Sequence, residues 1–263
     1  MSIIYLSIII SAAIWFYLIY RYDRLEPEPV FLVILVGIAG GFFSSVPAAF
    51  LNTIAAWLTG AIDFMHHTAT AQVSNEQYIY FTLFVGFNEE FWKAALSVLI
   101  LKRLNEFNEP VDALIYSMSV ALGFAAFENI EYTMAGGLAT LVLRSVTAMP
   151  LHIGLAAIWG SGIAKAKYMK NGRYFATLIP YVTIAALIHA LYNYLQFISP
   201  DNPWMIVVAM VFAFILSRNA ARRLKKYGKM SPFRKPGFCP DCGTGNRLWA
   251  KKCAHCGRSF MAK

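Results

Sequence analysis

The chain has 263 residues, of which 58% are hydrophobic and only 14% charged. Ordinary soluble domains carry about 25% charged residues, so a soluble globular composition is excluded. Its 23 Lys and Arg exceed its 14 Asp and Glu, an excess that only the placement of the cations can assign to nucleic acid or to a membrane surface.

A helix needs about 20 apolar residues to cross about 30 Å of hydrocarbon, and seven runs near that scale follow one another. The first, 3–20, has no basic segment before it and no small-residue cleavage site after it. It runs into Arg21 and Arg24, so it reads as a retained anchor and not as a signal peptide. The second, 30–58, is long and holds Gly40, Gly41 and Pro47, which predicts a kink or a re-entrant bend. The others are 78–101, 111–134, 138–164, 175–198 and a short one at 204–216. Pro150 and Pro180, in the fifth and sixth runs, are each expected to free a backbone carbonyl and bend a helix.

Lys and Arg near span ends are held on the cytoplasmic side. With the N-terminus outside, 21 of the 23 cations fall in inside segments, and the two exceptions, Lys93 and Arg144, lie within spans. The outer loops hold none. No basic patch is left for nucleic acid, and none is expected as a partner; the run Arg222, Arg223, Lys225, Lys226 reads as an anchor to anionic lipid. The expected architecture is therefore an all-α, polytopic transmembrane bundle in a cell membrane, with the C-terminus cytoplasmic.

All four cysteines fall in the last 25 residues, which excludes a disulfide framework for the main body. Cys239-Pro-Asp-Cys242 and Cys253-Ala-His-Cys256, each followed by glycine, have the spacing of two zinc knuckles. Each turn puts two thiolates on one side of a tight bend, and two turns complete a tetrahedral four-sulfur site. Such a site has no open coordination position, so it stabilises a fold or binds a cytosolic partner and does not catalyse. His255 reads as a bystander. The chain divides on this basis into a membrane domain, 1–217, a basic juxtamembrane linker, 218–236, and a zinc ribbon, 237–263.

The informative residues are those the spans ought not to contain. The third span carries Asn88, Glu89, Glu90 and Lys93, the fourth Glu128, Asn129 and Glu131, the fifth Arg144 and His152, the sixth His189 and Asn193. A charged side chain at a helix centre costs at least about 2.5–3.5 kcal/mol, so these groups must be paired, hydrated or functional. Glu89 and Glu90 stand four and three residues before Lys93, so the lysine can bridge to either on one helix face. One glutamate is then held ionised while the other is left to titrate, an arrangement suited to a general base. His189 and Asn193 point the same way from one face. Glu131 is expected to pair with Arg144, and His66 and His67 fall in an outer loop as solvated side chains.

Glu89-Glu90-x-x-Lys93, Phe124-Ala-x-x-Glu128-Asn129, Arg144 followed by His152, and His189-x-x-Tyr192-Asn193 together resemble the PrsW-type intramembrane proteases. The segment Tyr22-Asp23-Arg24 with Glu26-Pro27-Glu28-Pro29 resembles their N-terminal loop. The resemblance covers about residues 1–200 and extends to the CAAX prenyl endopeptidase and bacteriocin-processing group. There the second motif has a histidine where this chain has Glu128-Asn129. It implies hydrolysis of a peptide bond in a membrane-anchored protein such as an anti-sigma factor, in a bacterial cytoplasmic membrane.

In the first version of the chemistry Glu89, or else Glu90, activates a water held with His152, and His189 and Asn193 stabilise the oxyanion. Glu128 holds an imidazole in one tautomer or serves as a ligand. The second version places a catalytic divalent metal on His152, His189 and a glutamate such as Glu128, with an open position for water. No His-Glu-x-x-His helix marks such a site. Two other classes stay open at this point. One is a proton-coupled transporter, since Glu and His chains also relay protons. The other is a non-catalytic sensor whose zinc ribbon binds a partner.

Overall fold

The computed structural model describes residues 2–61, 74–168, 173–198, 202–233, 244, 246, 250–257 and 259. Cys239, Cys242, His66 and His67 lie outside the described residues, so neither the first zinc knuckle nor the histidine pair is observed. Among the described residues the elements are seven helices: α1 Ser2–Tyr20, α2 Val30–Thr59, α3 Asn75–Leu101, α4 Asp112–Val146, α5 Ala148–Tyr168, α6 Tyr174–Phe197 and α7 Trp204–Gly228.

Helices α1, α2, α6 and α7 and the α4–α5 stretch are long and apolar enough to cross a membrane. Helix α3 is long enough, but Glu89, Glu90 and Lys93 interrupt its apolar run. The outer faces of the bundle carry bare apolar side chains, including Phe31, Phe50, Trp57, Ile179 and Phe214. A face of that kind is stable against lipid and not against water.

Helices α4 and α5 form the centre, where Leu114, Ile115, Met149, Leu155, Trp159 and Ile163 are fully buried. Helix α4 packs on α1, α2 and α5, α5 on α6 and α7, and α3 lies between α2 and α6. Small residues set these approaches. A Cβ on Gly123 would stand 2.0 Å from the Gly37 carbonyl oxygen, and one on Gly86 would stand 2.5 Å from the Ala186 oxygen. The first contact seats α2 on α4; the second seats α3 on α6, one turn from the charged cluster. Helix α3 begins at a capping box, with the Ser74 hydroxyl accepting from the Gln77 amide and the Gln77 side chain from the Ser74 amide.

Four expectations change. Helix α2 runs unbroken past Pro47, so no re-entrant bend forms, and its glycines serve close packing. Pro150 falls in the first turn of α5, where a missing N–H has no helical partner to lose, and so bends nothing. The fifth run is divided at Thr147: residues before it belong to α4, which turns sharply at Gly137 with φ 72° and ψ −170°. Glycine adopts that left-handed φ without the Cβ penalty other residues meet. Finally, the helix that begins in the short 204–216 run continues to Gly228 through the basic segment, with Leu216, Leu224 and Tyr227 buried and the Tyr227 hydroxyl donating to the Ser161 carbonyl at 3.2 Å.

In the tail, the Cys253 sulfur accepts from the His255 and Cys256 amides at 3.4 and 3.5 Å. Gly257 closes this turn onto the Cys253 carbonyl with a φ of 74°.

Candidate active site

Helix α3 delivers Glu89, Glu90 and Lys93 to the interior, and all three are buried. Their environments differ. Glu90 is fully enclosed: Oε1 accepts from the Lys93 ammonium at 2.6 Å and Oε2 from the Trp159 indole at 2.9 Å. Glu89 keeps one oxygen on Asn52 of α2, at 3.1 Å, while Oε2 is buried without a hydrogen bond and has the Lys93 ammonium at 3.7 Å as its ion-pair partner. Of the two glutamates, Glu89 lines the central cavity.

Both histidines meet this pair. His189 Nδ1 lies 3.0 Å from Glu90 Oε1, and its Nε2 lies 3.8 Å from Glu89 Oε2. Since the Glu90 carboxylate accepts, the neutral ring carries its proton on Nδ1 and offers an Nε2 lone pair to the cavity. With that tautomer Nε2 is an acceptor, and donation to an oxyanion there belongs to the imidazolium. His152 receives Lys93 on Nδ1 at 3.0 Å, so its Nε2 donates to Glu128 Oε2 at 3.1 Å. Lys93 also stands 4.4 Å from the Phe124 ring centre, and the two imidazoles meet edge to face with centroids 5.1 Å apart.

Glu128 is held from a second side. Arg144 donates from Nη2 to Glu128 Oε2 at 2.6 Å and from Nε to Asn129 at 2.7 Å, across 16 and 15 residues of chain. A straight helix would separate residues 16 apart by about 24 Å at about 1.5 Å per residue. The turn at Gly137 folds the end of α4 back to close that gap. The Trp15 indole donates to the Ser145 carbonyl at 2.8 Å and ties α1 to the returned segment. Arg144 thus pairs with Glu128 and not with Glu131, and it stacks 3.7 Å above the Tyr132 ring.

Glu89, Glu128, Arg144, His152 and His189 line a cavity of about 260 Å³ together with Asn52, Tyr132, Tyr192, Asn193 and Phe197. That is room for several waters, and Asn193 presents its carboxamide one helical turn from His189. Six of the expected residues (Glu89, Glu90, Lys93, Glu128, His152 and His189) form one bonded network, and Asn193 lines the same space. Asn52, Trp159 and the Asn129–Arg144 contact were not anticipated. A polar Asn in an otherwise apolar run was the available signal for Asn52; Trp159 had none.

The chain was compared with known proteins. A model of the PrsW family, described as intramembrane metalloproteases, matches residues 28–217. The chain belongs to the PrsW family. Protease PrsW of Clostridioides difficile strain 630 is 28% identical over 234 residues, 85% of this chain and 91% of its own. Protease PrsW of Oceanobacillus iheyensis is 26% identical over 210 residues, 76% of this chain and 88% of its own. That of Geobacillus kaustophilus is 35% identical over 111 residues, 41% of this chain and 47% of its own. No solved structure matches. This PrsW-family chain is accordingly a multi-pass membrane protein and a protease, an enzyme that hydrolyses peptide bonds of a membrane-protein substrate in a lipid environment. The match ends before the four-cysteine tail.

Proposed function

We propose that the reacting centre is the space between Glu89 Oε2 and His189 Nε2, and that a water there is activated by Glu89 to attack the scissile carbonyl. The observation that carries this is a carboxylate oxygen without a hydrogen bond facing an imidazole nitrogen at the edge of a polar cavity. Lys93 at 3.7 Å balances the charge of that oxygen, and a water between the two groups would supply the hydrogen bonds both lack. Glu90 sets the His189 tautomer, and Lys93 and Glu128 set that of His152. Asn193 and Arg144 are the donors for developing negative charge on the substrate.

The metal implied by the family description has two ligands ready here, Glu89 Oε2 and His189 Nε2, which carry no hydrogen bond. The third member of the group within 4.8 Å, His152, would join only on releasing its contact to Lys93 or Glu128. Glu89 takes the carboxylate position that Glu128 was expected to fill, because Arg144 already occupies Glu128. A divalent metal bound there supplies Lewis acidity to the carbonyl and lowers the pKa of a bound water.

The substrate is a membrane-anchored protein, with anti-sigma factors the class suggested by the family resemblance, cut in a bacterial cytoplasmic membrane. The tail binds structural zinc through Cys239, Cys242, Cys253 and Cys256, supported by the two amide-to-sulfur contacts at Cys253, and recruits a cytosolic partner. Purified protein in proteoliposomes with a single-span peptide tests the catalytic reading. Cleavage lost in Glu89→Gln supports it; a pH-gradient response without cleavage favours a transporter, and neither response a sensor. Metal content of a Cys253→Ser, Cys256→Ser protein then separates tail zinc from membrane metal.

A further inference from the structure

A second group of buried acids lies where the α1–α2 and α3–α4 loops meet. We propose that Asp23, Glu109 and Asp112 bind a hard divalent cation, Ca²⁺ or Mg²⁺, which ties these two loops together. Each of the three offers an oxygen within 4.8 Å of the others, and all three are buried.

The bonding around these carboxylates singles out a ligand position. Asp23 Oδ2 accepts from the Glu28 amide at 2.8 Å, and Asp112 Oδ2 accepts from the Asn108 and Glu109 amides at 2.9 and 2.7 Å. One oxygen of each is thus pinned, while Asp23 Oδ1 and Asp112 Oδ1 are buried with no partner. Glu109 is 1% exposed, and neither of its oxygens meets hydrogen-bond geometry, the neighbouring Ser231 hydroxyl included. Glu28 repeats the pattern, with Oε2 on the Tyr116 hydroxyl at 2.6 Å and Oε1 bare. Ion pairs between described residues all lie at the other site. The nearby Lys167 ammonium is turned onto the Phe107 carbonyl and ring.

Buried carboxylates left so are costly unless a cation or a proton joins them. Burial pushes Asp23 up to about 6 and Glu28 up to about 7, and repulsion from their acidic neighbours acts in the same direction. The donors are oxygen only, which selects Ca²⁺ or Mg²⁺ over zinc or copper. Ligands at about 2.3–2.6 Å from a Ca²⁺ ion stand at most about 5 Å apart, so the observed spacing suits Ca²⁺ as it is and Mg²⁺ after slight closure. Asp112 precedes Glu128 on α4 by about 24 Å of helix, so this site is remote from the cavity and does not depend on the protease reading.

The test uses the full chain in nanodiscs, stripped with chelator at neutral pH, with Ca²⁺ and Mg²⁺ added in separate arms. The expected result is one bound equivalent and a melting temperature raised by about 5 °C or more at saturation. Both responses should be lost in Glu109→Gln and in Asp23→Asn and kept in His189→Ala; the second acid variant decides if the first does not fold. The arm with the tighter binding names the cation. No response to either cation means a protonated acid cluster only and overturns the proposal, as does a response that survives both acid variants or disappears in His189→Ala.

Discussion

His189 Nδ1 sits 3.0 Å from Glu90 Oε1, and this one contact assigns different work to two adjacent glutamates. Glu90, saturated by Lys93, Trp159 and His189, is a positioning residue. Glu89, with one oxygen on Asn52 and the other free of hydrogen bonds and only loosely paired with Lys93 at 3.7 Å, is left for chemistry.

Replacing Glu90 with Gln should therefore act through the network. It leaves a fully buried Lys93 ammonium without its closest counter-charge, which costs about 3–5 kcal/mol. Thermal unfolding in detergent should show a large loss for Glu90→Gln and little or none for Glu89→Gln. Equal destabilisation by the two variants would contradict the division of roles.

Trp159→Phe removes a single donor from Glu90 Oε2 and keeps an aromatic ring in the core. A hydrogen bond to a charged group contributes about 1.5–3 kcal/mol, so stability should fall by about that amount. Because Lys93 and His189 still hold Oε1, cleavage should persist at a reduced rate. Complete loss of cleavage in a folded Trp159→Phe protein would show that Oε2 matters more than the geometry indicates.

Gly86→Ala tests how the site is assembled. The added methyl carbon would stand 2.5 Å from the Ala186 oxygen and 2.9 Å from the Ala190 amide, so α3 and α6 must separate. Overpacking of this kind costs about 1–3 kcal/mol, and the Glu90–His189 contact one turn away lengthens with it. The expectation is a protein that folds with a lowered melting point and cleaves poorly, measured by unfolding and by peptide turnover together.

Gly137→Ala probes the fold-back of α4. An alanine at φ 72° and ψ −170° is strained by about 1–3 kcal/mol, with no clash to add, since open space surrounds that position. Arg144→Ala removes the partner of a Glu128 that is 18% exposed, so partial hydration keeps its cost below that of the Lys93 pair. Both variants should lower activity more than stability, read as turnover against melting temperature.

Much of this was legible in the residues themselves. Seven apolar runs marked the seven helices among the described residues, and the three- and four-residue spacings onto Lys93 put both glutamates within its reach. The break at Gly136-Gly137 fell between two runs, but the folding of residues 138–146 back toward Glu128, ahead of a second break at Thr147, was hidden. Its consequence, Arg144 on Glu128, was hidden with it. Asn52 and Trp159 act across helices whose approach depends on glycine contacts that span spacing does not encode. The acids of the second cluster come from two loops and read singly as solvated charges; only the fold buries them together.

Glu89, whose Oε2 carries no hydrogen bond, is the residue assigned the chemistry. That assignment is tested most directly by the turnover of a single-span peptide by wild-type and Glu89→Gln proteins in matched proteoliposomes. The account predicts a loss of at least about 100-fold with insertion and melting temperature preserved. Near-wild-type turnover by Glu89→Gln would contradict it.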